Sequence, residues 1–207
     1  MQTGAGFEIR ELEGGDVPAL VAIGKERLGV DYIGPEDFED VFSDPGQFCL
    51  VTVCDGVPMG FAICREFGPE DEGRELDLPD SPQRDSVLSA PRIGLVDSVS
   101  TADGYGGKGY GTRLVEACID RMASDGCTLA VSMAWVHRDG TEPIRKALSG
   151  AGFVRSDLVI EGYWNQWVGS EEGHHCPICG APCHCFGAFW SRPIVRCVRG
   201  SSPGYRP

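Results

Sequence analysis

Lysine is scarce in this chain: of its 18 basic residues, Lys25, Lys108 and Lys146 are lysines and the rest are arginines. Against 31 acidic residues the formal net charge is -13. A surface of that sign serves solubility and disfavours broad contact with nucleic acid or anionic lipid. Long apolar runs are missing too, since none reaches the roughly 18 residues that cross a bilayer. The opening residues, MQTGAGFEIRELEGGD, hold neither the basic segment nor the apolar one that directs export. These absences predict a cytoplasmic protein with no membrane partner. Acids are absent from one region: residues 173–207 contain none and carry Arg192, Arg196, Arg199 and Arg206. That polarity marks an expected boundary between a domain at 1–168 and a cysteine-rich module at 169–207. The arginines there read as neutralising the acidic body, with RNA contact as the rival reading.

The 207 residues, 42% of them hydrophobic, suffice for one ordinary core with a small appendage. Alternation predicts a strand at 7–12, then a helix capped by Asp16 and ending near Gly29. A short acidic helix is expected at 35–42. The runs 47–54 and 58–65, separated by Asp55-Gly56-Val57, read as a hairpin. Residues 67–92 contain Pro69, Pro79, Pro82 and Pro91 with few apolar side chains, which predicts an exposed loop or flap outside the core. A strand at 93–100, a helix beyond Gly111 stopped by Asp125-Gly126, a strand at 128–136, a short helix at 141–148 and an extended run at 153–164 follow. Residues 188–198 alternate enough to form one more strand or to dock on the main domain. The order is that of an α/β (α+β) fold, with antiparallel and parallel strands in a mixed sheet.

Between the strand at 93–100 and the next helix runs Gly104-Tyr105-Gly106-Gly107-Lys108-Gly109-Tyr110-Gly111. Bare backbone ahead of a helix lets successive N–H groups converge on an anion. Ala102 and Gly109 occupy the positions where a P-loop needs glycine and Ser or Thr, so that motif fails. Gly104-x-Gly106-x-x-Gly109 fits a dinucleotide fingerprint, but few strand–helix units remain downstream for such a fold. In the register from Gly106 to Thr112 the stretch resembles the GNAT superfamily of acyl-CoA-dependent N-acyltransferases, whose loop runs Gln/Arg-x-x-Gly-x-Gly/Ala into a helix. The resemblance covers residues 7–165 in element order and includes the Gly152-Phe153 pair. It departs at Gly106, where the family carries Gln or Arg. It departs again at Leu148, where the family often has a tyrosine that protonates the departing thiolate.

The resemblance implies a mixed central sheet flanked by helices and acetyl-CoA as cosubstrate, with its pyrophosphate on Gly106, Gly107, Lys108, Gly109, Tyr110, Gly111 and Thr112. It implies that the strands at 93–100 and 128–136 splay to admit the pantetheine arm. A backbone N–H near Val99 or Ser100 would polarise the thioester carbonyl. Asp97, which alternation puts on the same face as Val99, is a candidate base; a structural carboxylate paired with an arginine is the other reading. Tyr163 and Tyr105 are candidates for the missing acid. The implied reaction is acetylation of an amine, either a small molecule or a protein lysine or N-terminus, and the acidic 69–85 stretch favours a cationic acceptor. A non-catalytic acyl-CoA sensor and a zinc-dependent RNA or protein interaction module are the rivals.

Ten cysteines without an export signal should stay reduced, so a tight cluster reads as a metal site. Cys176-Pro177-Ile178-Cys179-Gly180 looks like a zinc knuckle, and Cys183 and Cys185 complete four sulfur ligands for a structural zinc. His174, His175 and His184 are substitutes or supporting groups. An iron–sulfur or redox role and unliganded cysteines are the competing readings. The cysteines at 49, 54, 64, 118, 127 and 197 read as small core residues.

Overall fold

The computed structural model describes residues 6–30, 32–167 and 175–195. His174, Cys197 and the arginines at 196, 199 and 206 lie outside the described residues. Strand β1 (Phe7–Glu11) leads through a short turn to α1 (Val17–Leu28). Asp16 secures that turn: its carboxylate accepts the Glu13 N–H at 2.9 Å and two bonds from Arg10 at 2.7 and 2.8 Å. Helix α2 (Pro35–Ser43) opens on a proline at its first position, where no N–H is needed, and Asp37 accepts the Gly34 N–H at 2.7 Å. Strands β2 (Gln47–Cys54) and β3 (Val57–Phe67) form the expected hairpin. Its two-residue turn, Asp55-Gly56, has positive φ at both positions, the twist that joins antiparallel strands tightly.

Helices α3 (Glu72–Glu75) and α4 (Pro82–Leu88) precede β4 (Ile93–Thr101). Then come α5 (Tyr110–Asp125), β5 (Leu129–Val136), α6 (Arg145–Gly150), β6 (Val154–Glu161), a 3-10 turn at Tyr163–Trp167 and β7 (Phe186–Pro193). The seven strands make one mixed sheet in the order β1-β2-β3-β4-β5-β7-β6. Among the described strands only β4 and β5 pair in parallel. Strand β7 lies between β5 and β6, so the stretch that reads as a separate module contributes an internal strand to the main sheet. The extended run expected to reach Trp164 stops at Glu161, where Gly162 turns the chain with a φ of 65°. The short helix expected from Thr141 starts at Arg145, and Glu142 ahead of it is turned inward. Its carboxylate has 1% side-chain exposure. It accepts the Trp190 indole N–H of β7 at 2.6 Å, Arg145 at 3.0 Å and Arg155 of β6 at 3.2 Å.

Helix α5 presents Leu114, Val115, Cys118, Ile119 and Met122 to one face of the sheet, the 3.6-residue stripe of an amphipathic helix. It rides so close that a Cβ on Gly94 of β4 would overlap the Met122 sulfur. On the opposite face, α1 and α2 cover β2 and β3 around Phe38, Val51 and Phe61.

The segment 67–92 corrects the expectation of an exposed loop. Leu76, Leu78, Val87 and Ala90 are buried against Ile93, Leu95, Val131 and Phe189. Two features hid this. Pro69 and Pro82 sit at the starts of short helical turns, where proline is at home. The segment is also organised by a carboxylate that sequence counts as surface: Glu72, with 2% side-chain exposure, accepts the Leu78 N–H at 2.8 Å and Arg84 Nε at 2.9 Å. Leu76→Ala should therefore destabilise the protein by about 3 kcal/mol, a fall in Tm of about 6–12 °C for a chain of this size. Leu88→Ala, at a residue 42% exposed, should change stability by less than about 0.5 kcal/mol. Equal, small effects in thermal unfolding would return the segment to the status of a solvated flap.

Candidate functional site

Strands β4 and β5 stay together for three residue pairs, Ile93 with Leu129, Gly94 with Ala130 and Leu95 with Val131. At the next step a side chain replaces the ladder: the Ser132 hydroxyl donates to the Val96 carbonyl at 2.8 Å. Beyond that bond the strands part. Val99 and Ser100 lie on the stretch of β4 that pairs with β3 but not with β5, and the Ser100 hydroxyl is buried without a hydrogen-bond partner. The His137 Nε2 just past β5 is in the same condition. Both atoms are free to bond another molecule that enters the split.

The β3–β4 register shifts between Ile63, paired with Ser98, and Cys64, paired with Val96, which leaves Asp97 as the extra residue of a β-bulge. The bulge overturns the alternation that put Asp97 and Val99 on one face. Val99 packs with the cluster under α5, whereas Asp97 and Ser98 face a cavity on the opposite side of the sheet.

The glycine stretch enters α5 directly. Gly107 and Gly109 have φ of 77° and 80°, the left-handed region that side chains avoid. A Cβ on Gly106, Gly107 or Gly109 would meet no atom within 4 Å, so the space in front of this backbone is open. The first turn of α5 carries no acid, leaving the positive end of its dipole uncompensated. Tyr110 stacks on Phe7 with centroids 4.6 Å apart, and the Lys108 ammonium lies 4.9 Å from the Tyr105 ring centre. Tyr105 is thus part of the loop's own packing.

The cavity on the Asp97 side has a volume of about 400 Å³. Its walls come from the α1–α2 connection (Tyr32, Ile33), from α2 (Asp37, Asp40), from Glu75 and Leu76, and from Tyr163, Trp164 and Trp167. Arg65 Nε stands 3.9 Å from Asp97 and its Nη1 3.6 Å from Glu75, loose pairs that leave carboxylate oxygens available. Withdrawal from solvent pushes the Asp97 carboxyl above the usual carboxylate range, against the pull of Arg65. Burial also raises Asp37. The phenols of Tyr32 and Tyr163 are pushed up by burial and then by the charge of Asp97. The Tyr163 hydroxyl donates to the Leu76 carbonyl at 2.8 Å, so its proton is already engaged in closing the wall. Leu148 is fully buried in the core beneath α5.

Sequence reasoning missed Tyr32, Asp37, Arg65, Glu75 and the two tryptophans, because they come from four separate segments. The one local signal was the aromatic run Tyr163-Trp164-Asn165-Gln166-Trp167 directly after a strand.

The predicted ligand cysteines do come together. The sulfurs of Cys176, Cys179, Cys183 and Cys185 lie within 4.8 Å of one another, and Trp135 of β5 packs on them. His175 is exposed, and His184 lies 3.9 Å from Glu161, so neither histidine is needed to complete four ligands.

No curated sequence matches the chain significantly, but its fold is widely shared. An Arabidopsis thaliana NAA60 in complex with acetyl-CoA superposes with a TM-score of 0.67 at 13% identity, covering 91% of this chain and 99% of that one. The ribosomal-protein-S18-alanine N-acetyltransferase of Escherichia coli gives 0.59 at 14%, covering 97% and 100%. Ard1 of Thermoplasma volcanium gives 0.61 at 14%, covering 92% and 99%. At such identities the likeness establishes the fold alone. The acetyltransferase (GNAT) family itself matches residues 20–153, a span that holds the parted strands, the bulge and the glycine turn, and on that match the chain belongs to the GNAT acetyltransferase family.

Proposed function

We propose that this protein is an N-acetyltransferase that moves the acetyl group of acetyl-CoA to an amine held in the Asp97 cavity. One observation carries the reading: the parting of β4 and β5 has the bare N-terminus of α5 on one side and an acidic, aromatic cavity on the other. The pyrophosphate would lie on the backbone N–H groups from Gly106 to Thr112, with Lys108 supplying charge that Gly106 does not. The acyl chain would run between the strands, its carbonyl meeting a backbone N–H at Val99 or Ser100. Asp37, Asp40 and Asp97 favour an acceptor that arrives as a cation, whether a small amine or a protein lysine or N-terminus.

An ammonium is not a nucleophile until it loses a proton. Asp97 takes that proton directly or through water, and its raised pKa improves it as a base. The freed lone pair attacks the thioester carbon, the oxyanion is held by β4, and collapse breaks the carbon–sulfur bond while the second nitrogen proton passes through solvent to the departing thiolate. Tyr163 would have to give up its bond to Leu76 before it could protonate the departing thiolate, so we assign it to the wall. A structural zinc on the four cysteine thiolates belongs to the same reading, as does a cytoplasmic setting that keeps those thiols reduced.

A second reading, an acyl-CoA sensor without turnover, draws on Leu148, an apolar residue where the family often has its acid. Two measurements decide. Calorimetric titration of the reduced protein with acetyl-CoA should show saturable binding, and Gly109→Glu should weaken it at least tenfold by straining the positive φ and repelling the phosphates; no binding to the wild type removes both readings. Asp97→Asn should lower kcat about 100-fold with acetyl-CoA affinity within twofold of wild type. Wild-type turnover should fall as pH drops through the raised Asp97 pKa, because only the carboxylate accepts a proton, and the variant should lack that limb. The sign for stability is opposite to that of an ordinary aspartate. The native state binds the proton more tightly than the unfolded chain, so stability is lost as pH rises from the ordinary carboxylate pKa through the raised one. Asp97→Asn should therefore raise Tm at neutral pH; a lower Tm would identify Asp97 as a structural partner of Arg65.

A further inference from the structure

The connection from β6 to β7, residues 162–185, is longer than most loops between neighbouring strands and contains all four clustered cysteines. Connections of such length are uncommon in a compact domain and usually carry a function. The sulfur geometry indicates one. Cys176 and Cys185 sulfurs are 3.8 Å apart, Cys179 and Cys185 3.7 Å, and Cys179 and Cys183 3.9 Å. Four thiolates around a tetrahedral zinc at about 2.3 Å stand about 3.8 Å from one another, whereas a disulfide needs about 2.05 Å. Backbone N–H groups point at two of the sulfurs, Ile178 to Cys176 at 3.4 Å and His184 to Cys179 at 3.2 Å, the support expected for thiolate ligands.

The cluster is tied to the aromatic wall of the amine cavity at two points. Asn165 and Cys183 exchange a pair of bonds: the Asn165 amide donates to the Cys183 carbonyl at 2.9 Å, and the Cys183 N–H donates to the Asn165 side-chain oxygen at 2.9 Å. The Gly162 N–H donates to the Cys185 carbonyl at 2.8 Å. Tyr163 and Trp164 lie between these anchors and Trp167 just beyond. On its other side the knuckle abuts the end of α1, where a Cβ on Gly29 would stand 3.2 Å from the Pro177 ring. Gly29 begins the connection that delivers Tyr32 and Ile33 to the same cavity.

We propose that a zinc ion bound by Cys176, Cys179, Cys183 and Cys185 sets the shape of the amine cavity, with Asn165 as the positioning residue that transmits it to the Tyr163–Trp167 turn. The assignment of the cavity to the acceptor rests on the transferase reading above; the link from metal to wall does not. The coenzyme loop lies at the N-terminus of α5, where its ring contacts among the described residues join Phe7, Tyr105, Lys108 and Tyr110, so the metal governs the acceptor and leaves acetyl-CoA binding alone.

The test uses the full chain purified under reducing conditions. Elemental analysis should find one zinc per chain, and cobalt(II) substitution should give the thiolate-to-metal charge-transfer absorption of four sulfur ligands. Hydrogen exchange read by mass spectrometry should show amides 162–167 protected in the zinc form and exposed after chelation, with protection restored by zinc. Where chelation unfolds the whole chain, Asn165→Ala decides: it should keep its zinc and its acetyl-CoA affinity and still lose protection at 162–167. With 1,5-diaminopentane as acceptor probe, the same variant should raise KM about tenfold and leave kcat within twofold. A metal-free or disulfide-linked native protein, or unchanged exchange at 162–167 in Asn165→Ala, overturns the proposal. Metal-dependent protection in a wild-type protein that acetylates no amine leaves the link standing and removes the transferase reading instead.

Discussion

The parting of β4 from β5 is the constraint on which the rest of the molecule turns. Two parallel strands that could have paired along their length stop after three residue pairs, and one serine hydroxyl closes the ladder at Val96. Separation leaves backbone groups of β4 without strand partners in the middle of a domain, a cost most sheets avoid. It is tolerable where a ligand supplies the missing bonds. The bulge at Asp97 belongs to the same event: one extra residue turns a carboxylate onto the far face while Val99 continues to pack under α5. The α5 face and the cavity face are thus separated by a single strand.

Around that opening the chain keeps its charges under unusual control. Glu72 and Glu142 are acids withdrawn almost completely from solvent, each compensated by arginine and by an N–H donor. Their role is architectural, one holding the α3–α4 segment over the sheet and the other tying α6, β6 and β7 together. Truncating either would leave arginine and N–H groups without their acceptor, a far larger penalty than loss of a surface ion pair. In the cavity the logic is reversed: Asp97 and Asp37 are partly withdrawn from solvent with incomplete compensation. Carboxylates kept in that state carry a cost in stability that is usually retained for chemistry.

What was legible in the sequence followed from periodicity and turn chemistry. The hairpin at Asp55-Gly56, the amphipathic stripe of α5 and the glycine entrance to it depend on neighbours in the chain, and their positions were read within a residue or two. The four-cysteine cluster was equally local. Three things were not legible, each because its cause is distant in sequence. Leu76 and Leu78 are few and lie among prolines, so their burial depends on Glu72 reaching Leu78 and Arg84. The bulge at Asp97 exists only in the register with β3, and no pattern within β4 announces it. The cavity walls converge from four segments, which composition does not connect.

The position of β7 has a consequence for the order in which the molecule can be assembled. Strand β6 is made before β7 but pairs only with it, so during vectorial synthesis the outer edge of β5 and the whole of β6 wait for a strand that emerges later. An open sheet edge at that stage is a template for unwanted pairing. The cysteines lie on the stretch that must fold back to bring β7 between them. Drawing four residues of that stretch into one knot shortens the loop whose closure costs entropy. With the four sulfurs gathered as they are in the folded protein, less chain remains to be closed when β7 inserts between β5 and β6.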